Sequence, residues 1–415
     1  MRSHIIFVHQ GTTNVRGGIH PPLMLSQPVP RFIVLSACAL TIMVSARAQI
    51  SLEERLQSLE ETVHALQKEN ADLRRDLGVS GTSGMIVVKP SGKEPVLAIN
   101  GLVQAQAEFG DKGDSRGNAN DRFRLRRVRL GASGRFLEEF DFKVEGEYVG
   151  SSVTLTDGFL NWSHFDWANI KAGQFKTPFG YEFLASDPKL YTIERTLGTD
   201  RLTLNRQVGV QASGDFFEKR LSYASGVFNG NGANVTTNDN DQFLYVGRLA
   251  GTPWQGKLFG QSAKWTAGID GYASRDTAVT MGSDFGLTGN SFAGRREAWG
   301  VDTQFTLGRF ALWTEYLRVR FDPTNDKPAP AFAADAWYVQ ASYFLIPNRL
   351  QAVVKFDTFD PNDKKSADET DAWTFGANWF LKGDDLKLQC DYVRTDAPAT
   401  ASAQDQLWLR AQVIF

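Results

Sequence analysis

Between Arg122 and Arg129 the chain places five guanidinium groups in eight residues: Arg122, Arg124, Arg126, Arg127 and Arg129. A guanidinium stays charged at any physiological pH and presents a planar fork of donors. Several on one wall therefore suit the capture of carboxylate, phosphate and other oxyanions. The i, i+2 spacing is that of a strand, in which alternate side chains share a face. The doubled Arg126-Arg127 breaks the alternation and calls for a bulge that turns a further arginine to the same side. A second basic set follows in Lys171, Lys176, Lys189, Arg195, Arg201 and Arg206, mixed with Glu182, Asp187, Glu194 and Asp200 for a net of +2. Arg124, Arg126, Arg129, Lys176, Arg195 and Arg201 are the candidate anion contacts. A second reading stays open, because the next predicted strand carries Glu139, Asp141, Glu145 and Glu147. Arginines paired across to those acids would serve structure rather than anion capture.

Other chemistries have little to work with. Residues 1–48 carry four Arg, no Lys and no acid, and the 415-residue chain has a net charge of −2, so the remainder stands at −6. Beyond residue 48 only Cys390, His64 and His164 remain. One cysteine makes no intrachain disulfide, and no Cys/His metal set is possible. No catalytic residue, metal or cofactor is expected, and no nucleic-acid partner.

The elements that must position the arginines are strands. Leu97, Ile99, Gly101, Val103, Ala105, Ala107 and Phe109 share one face, with Asn100, Gln104, Gln106 and Glu108 on the other. Phe140, Phe142 and Val144 alternate with Glu139, Asp141, Lys143 and Glu145, and Trp373, Phe375, Ala377 and Trp379 with Thr374, Gly376 and Asn378. A soluble β core would not bury full charges on its polar face, whereas a water-filled lumen accepts them. The pattern predicts sixteen antiparallel strands closed into a transmembrane β-barrel over residues 97–415. Their starts fall near Leu97, Arg122, Glu139, Val153, Ala168, Asn205, Arg220, Gln242, Lys264, Arg295, Arg309, Ala334, Leu350, Asp371, Asp385 and Gln406. Tight turns alternate with long polar links such as 110–120, 230–241, 275–294, 322–333 and 360–369, with the link at Gly150-Ser151 a short exception, as in an outer-membrane barrel with turns in the periplasm and loops outside. The link near Pro253 reads as somewhat longer than the other turns. All ten tryptophans fall in or beside predicted strands, as an aromatic girdle requires. The last segment, Leu407 to Phe415, alternates to a terminal aromatic residue; taken alone it also suits an edge strand of a soluble sandwich. The longest link, Phe175 to about Asn205, is expected to fold into the lumen, meet the basic wall and make the constriction. Gly173, Gln174, Phe175, Pro178, Phe179 and Glu182 are the candidate residues of that constriction.

The amino end predicts export. Phe32 to Val44 is apolar apart from Ser36 and Thr41, Arg31 precedes it, and Ala46-Arg47-Ala48 follows as a small-x-small cleavage site. Residues 1–48 therefore read as a signal peptide, with Met24 as an alternative start and Leu35-Ser36-Ala37-Cys38 as an alternative acylation box. Residues 49–77 read as a periplasmic coiled coil. Leu52, Leu56, Leu59, Val63, Leu66, Asn70, Leu73 and Leu77 keep a 4-3 spacing, with Asn70 at an a position. Self-association is the first reading of this seam and an amphipathic helix packed on the barrel the second. Residues 78–96 read as a linker.

Gly173-Gln174-Phe175-Lys176-Thr177-Pro178-Phe179-Gly180-Tyr181-Glu182 resembles the GQFKxPF…E signature of the phosphate-selective porin O/P family. Ile193-Glu194-Arg195, Gln207-Val208-Gly209-Val210, Gly226-Val227-Phe228-Asn229-Gly230 and the basic strand from Phe123 to Leu130 match further family patterns in order. The resemblance covers about Ile99 to Phe415. It implies a trimeric, sixteen-stranded porin of the Gram-negative outer membrane. Lipid is then a partner, Phe415 is the signal to the barrel-assembly machinery, and small anions such as phosphate are the solutes. The charge balance argues for less: residues 78–415 carry a net −3, so phosphate selectivity comes from the resemblance alone. A mainly structural barrel tethered by its coiled coil is the alternative.

Overall fold

The computed structural model describes residues 86–88, 96–111, 121–324, 330–398 and 403–415. The expected signal peptide and coiled coil, and all but four residues of the linker, lie outside them. The described strands are β1 (Ile86–Val88), β2 (Val96–Gly110), β3 (Arg122–Phe136), β4 (Phe140–Glu147), β5 (Thr154–Phe165), β6 (Ala168–Lys176), β7 (Arg206–Phe216), β8 (Leu221–Phe228), β9 (Leu244–Leu258), β10 (Gln261–Thr280), β11 (Ser291–Leu307), β12 (Phe310–Pro323), β13 (Phe332–Ile346), β14 (Leu350–Asp360), β15 (Thr370–Lys382), β16 (Leu386–Asp396) and β17 (Gln404–Ile414). From β2 to β17 each strand pairs antiparallel with the next, and β17 pairs back onto β2 from Ile414↔Leu102 to Gln406↔Gly110. Sixteen strands thus close into a barrel in which, among the described residues, each has a neighbour on both sides. The short β1 adds to β2 at Leu97–Ile99, beside the stretch that β17 covers.

The two faces explain why this sequence builds a barrel rather than a sandwich. Along β16, Leu386, Leu388 and Tyr392 are 40, 48 and 39 % exposed, whereas Lys387, Gln389 and Asp391 are 1, 4 and 0 % exposed. The apolar set faces out and the charged set faces in, the inverse of a soluble fold and the pattern of a sheet wrapped in lipid. At the closing seam the backbone N–H of Gly101 donates to the Phe415 carbonyl at 2.7 Å, and the Phe415 N–H donates back at 3.1 Å. The Phe415 ring lies over Gly101, where a Cβ would stand 2.4 Å from it.

Short connections of two to four residues lie on one rim, at 137–139, 166–167, 217–220, 259–260, 308–309, 347–349 and 383–385. The links on the other rim are longer, and 177–205 is the longest of them. Three expectations need correction. Pro253 does not mark a link. β9 runs through it to Leu258, with a register shift opposite Trp265–Ala267, where a residue lacking N–H costs no ladder hydrogen bond. The 275–294 link shrinks to 281–290, because β10 and β11 continue pairing past a bulge between Asp276 and Val279. Not all tryptophans belong to an outward girdle. Trp313 lies on the inward face of β12 with Glu315, and Trp408 on that of β17 with Arg410.

Candidate functional site

The site is built by the link 177–205, which turns into the lumen. Its entry requires Gly173: with φ +131, this residue would place a Cβ 2.2 Å from the Gly158 carbonyl oxygen. The neighbouring Gln174 is buried and donates to the Leu155 carbonyl at 2.7 Å. Phe175 is buried between Phe159 and Phe228, at centroid separations of 6.0 and 5.5 Å. Thr177 closes the base, its N–H and hydroxyl both donating to the Asn205 carbonyl. Pro178 and Phe179 are buried, and Phe179 meets Tyr272 edge to face at 4.8 Å. One helical turn, α1 (Tyr181–Leu184), and a second short helix, α2 (Leu197–Leu202), follow. The Thr196 hydroxyl caps α2 by accepting from the Thr199 N–H at 3.1 Å. Gly198 lets α2 lie flush on β13, since a Cβ there would stand 2.1 Å from that of Ala336.

Backbone carried into a lumen needs a partner for each N–H and C=O. The barrel wall supplies many of them. Asp270 accepts from the Gly180 N–H at 3.1 Å, Glu315 from Tyr181 and from Glu182 at 3.1 Å, and Asp391 from Ile193 at 2.6 Å. Lys387 donates to the Pro188 and Leu190 carbonyls at 2.5 and 3.2 Å, and Asn378 to Tyr191 at 2.7 Å. Arg410 donates to Ile193 at 2.5 Å, and Lys355 to Glu194 at 3.1 Å. Within the link, Glu182 accepts from the N–H and hydroxyl of Thr196, both at 2.9 Å. None of these wall residues was among the candidates. Each is one more charge or amide on the polar face of a strand, and its role depends on a segment distant in sequence.

The bulge expected in the arginine strand is present. Gln104 pairs with Arg127 and Ala105 with Leu125, so Arg126 has no partner on β2. The pairing of the arginines differs from expectation. Arg129 meets Glu147 at 2.9 Å, but the acids of β4 reach none of the other four arginines in an ion pair. Instead Arg122 and Arg124 meet Glu108 of β2, each at 2.7 Å. The inward link supplies the rest: Glu194 receives Arg126 and Arg410 at 2.7 Å each and Arg124 at 3.7 Å, and Asp187 receives Arg129 at 2.6 Å and Arg127 at 3.4 Å. Burial alone would push both carboxyls up. The guanidiniums outweigh it, Arg410, Arg126 and Arg127 around Glu194 and Arg127, Arg195 and Arg129 around Asp187, and hold both well below the usual carboxylate range.

The candidate anion contacts therefore divide. The Arg122, Arg124 and Arg126 side chains stay 29, 32 and 30 % exposed to the lumen while sharing Glu108 and Glu194. Arg129 is largely enclosed between Glu147 and Asp187. Arg195 is a staple inside the link, bonded to Asp187 at 2.5 Å and to the carbonyls of Glu182 and Ala185. Lys176 donates to the Phe183 and Ala185 carbonyls at 2.6 and 3.0 Å. Arg201 is bonded to Asp284 of the neighbouring link at 2.5 Å. Next to the 183–190 stretch opens a cavity of about 740 Å³, lined by Arg129, Lys143, Lys176, Lys189, Arg206 and Lys382 together with Glu145, Asp157, Asp187, Asp384 and Asp385.

A family model described as "Phosphate-selective porin O and P" matches residues 98–415. No curated protein sequence matches the chain at a significant level. Among solved structures, an anion-selective porin from Comamonas acidovorans aligns with a TM-score of 0.57 at 13 % identity, over 78 % of this chain and 100 % of that one. In-vitro folded OmpT of Vibrio cholerae, in a trimer form, aligns at 0.53 and 12 % identity, over 78 % and 100 %. The outer-membrane channel DcaP of Acinetobacter baumannii aligns at 0.51 and 13 % identity, over 80 % and 100 %.

Proposed function

The chain belongs to the phosphate-selective porin O and P family and is an outer-membrane porin; on that premise we propose that its channel passes small hydrophilic solutes with a moderate preference for anions, phosphate among them. The observation that carries this reading is the exposed end of the arginine wall. Three guanidiniums, of Arg122, Arg124 and Arg126, face the lumen and share two carboxylates, Glu108 and Glu194. A unit charge about 5 Å from the ion path is worth about 3 kcal/mol at the effective dielectric of a protein surface, before salt screening. Guanidinium charge in excess of these two shared carboxylates thus favours anions without excluding cations, so the preference is weaker than that of a dedicated phosphate pore.

The same reading includes a homotrimer, supported by family membership and by the trimeric OmpT relative. It also includes residues 49–77 as a periplasmic parallel bundle, and Phe415 as the residue presented to the assembly machinery. The test is the reversal potential of the reconstituted protein in a KCl gradient, then with phosphate titrated against chloride. The wild type is expected on the anion side, and Arg124→Glu with Arg126→Glu is expected to move it toward cations. A wild type that prefers cations, or no shift in the double variant, would overturn the arginine-wall mechanism. A lumen partly filled by α2 and residues 281–290 also favours a tethering barrel, and absence of any conductance would leave that reading standing.

A further inference from the structure

The anion reading uses arginines that face the lumen and leaves a second set that faces away from it. In β11, Arg296 turns inward, is buried and meets Asp276 at 2.6 Å, whereas the side chain of its neighbour Arg295 is on the outer face and 56 % exposed. Arg275 of β10 is the direct cross-strand neighbour of Arg295. On β12 the same outer face carries Arg318 opposite Trp299 and Arg320 opposite Glu297. The aromatic residues fix the level of these charges. Trp299 and Tyr316 touch at 5.1 Å, and Tyr316 pairs with Trp337 of β13. Such rings mark the boundary between hydrocarbon and headgroups. Arg318 stands two residues beyond Tyr316, Arg320 four residues beyond it, and Arg295 four residues beyond Trp299, all toward the rim of the longer links. At about 3.3 Å per residue and a strand tilt of about 45°, the four arginines lie about 5–10 Å past the rings, at headgroup depth.

The protein does not neutralise this surface itself. Arg295 meets Glu297 at 2.5 Å, and Arg318 meets Asp363 at 3.2 Å and Asp335 at 3.6 Å. Arg275 and Arg320 are exposed and enter no ion pair with a described residue. Arg275 and Arg295 stand directly opposite each other, and like charges in that position repel unless an anion lies between them. The feature is local. At the same rim the outer positions of β3 and β5 are Phe123, Leu125 and Leu155, exposed and uncharged. On β16 the outward Arg394 is already bonded to Asp405 at 3.2 Å. Below the arginines the outer face turns apolar, with Ile269 of β10 beside Val301 of β11.

We propose that Arg275, Arg295, Arg318 and Arg320 form a docking surface for phosphorylated lipid headgroups in the leaflet that borders this rim. A guanidinium fork takes two oxygens of one phosphate, and a phosphate between Arg275 and Arg295 removes their mutual repulsion. The acyl chains of the same lipid run down the apolar face at Ile269 and Val301, a contact that a free anion lacks. The surface lies outside the lumen and is independent of the channel's ion preference.

The test titrates the full-length protein in detergent with diphosphoryl lipid A and counts bound lipid by native mass spectrometry. The wild type is expected to retain the lipid. Arg275→Gln with Arg320→Gln is expected to raise the half-saturating concentration about thirtyfold, the scale of two cations beside an anionic headgroup. Arg394→Gln removes an outward arginine that Asp405 already neutralises, and should shift it much less. The KCl reversal potential of the double variant should match the wild type, which also shows that the barrel has folded. Equal half-saturation in the double variant and the wild type would overturn the proposal, as would no retention by the wild type. Equal binding of the same lipid stripped of both phosphates would overturn it too. Displacement of the intact lipid by an equal concentration of inorganic phosphate would mark a free-anion site instead. A reversal potential that moves in the double variant would place these arginines in the ion path, against the outward assignment.

Discussion

The two sides of the lumen hold the same inward link by different balances of burial and charge. Against β6 and β8 to β14 the link is docked largely by burial: Phe179, Leu197, Leu202 and Leu204 join Phe175, Phe228, Leu244, Tyr272, Leu317, Phe321, Ala336 and Phe359 in one apolar cluster. Against β2, β3 and β17 it is docked by charge, Asp187 and Glu194 set among Arg124, Arg126, Arg127, Arg129 and Arg410. The apolar side fills space, with Asp270, Glu315 and Lys355 adding charged contacts to the backbone of the link. The charged side leaves guanidiniums at the water, and it is along this side that we propose ions pass. On that proposal position and selectivity of the channel are separate properties, and mutations on the two sides ought to separate them.

The largest effect is expected on the apolar side. Phe179→Ala removes a fully buried ring and leaves a cavity, at a cost of about 3–5 kcal/mol in link docking. Gly198→Val forces α2 off Ala336. Both variants should raise single-channel conductance as the link detaches and should change ion preference much less. A conductance equal to that of the wild type in both would mean that this packing does not set the channel width.

On the charged side, Glu194→Gln leaves Arg126 and Arg410 without their shared carboxylate. The local cost is about 3 kcal/mol or more, because a charge enclosed by protein loses its counterion. Ion preference should move further toward anions, measured as a more anionic reversal potential. A shift toward cations would contradict the assignment of the path to this wall.

The pH response follows from the same carboxylates. Asp187 and Glu194 are held well below their ordinary range, so in the folded link they are ionised where the free groups would already take up protons. A depressed carboxyl stabilises the fold above its free value, about 4, and that contribution is lost only as pH falls through the lower folded value. The contribution of these two carboxylates to conductance should therefore be flat from pH 8 down to about 4 and change only in more acidic solution. A transition centred between pH 5 and 7 would point to other groups.

Strand period and link length were legible before any coordinates. The predicted strand starts lie within four residues of those observed, as at Lys264 against Gln261 and Arg295 against Ser291, because a two-residue period on a lipid-facing wall leaves little freedom. The inward course of 177–205 was legible from its length, and the bulge at Arg126-Arg127 from the broken alternation. The partners of the arginines were not. Nothing local distinguishes Glu145, which stays with Lys143, from Glu194, which crosses the lumen to Arg126 and Arg410. Nor could alternation reveal that Lys355, Lys387 and Asn378 would meet carbonyls of the link rather than water.

Arg201 offers the smallest effect and a sharp check on the division between the two sides. It was a candidate anion contact by sequence, yet it sits at the last turn of α2, on the apolar side, bonded to Asp284 of residues 281–290. Both side chains are less than one-fifth exposed, and the pair is electrically neutral. Arg201→Gln removes one half of that pair and lets Asp284 turn toward water, for a cost of about 1 kcal/mol. With the proposed path along β3, this substitution should move the reversal potential far less than Arg124→Glu does, with conductance close to wild type. If Arg201→Gln shifted ion preference as much as a change at Arg124, ions would be passing the α2 side as well, and the separation of a packing side from a conducting side would fail.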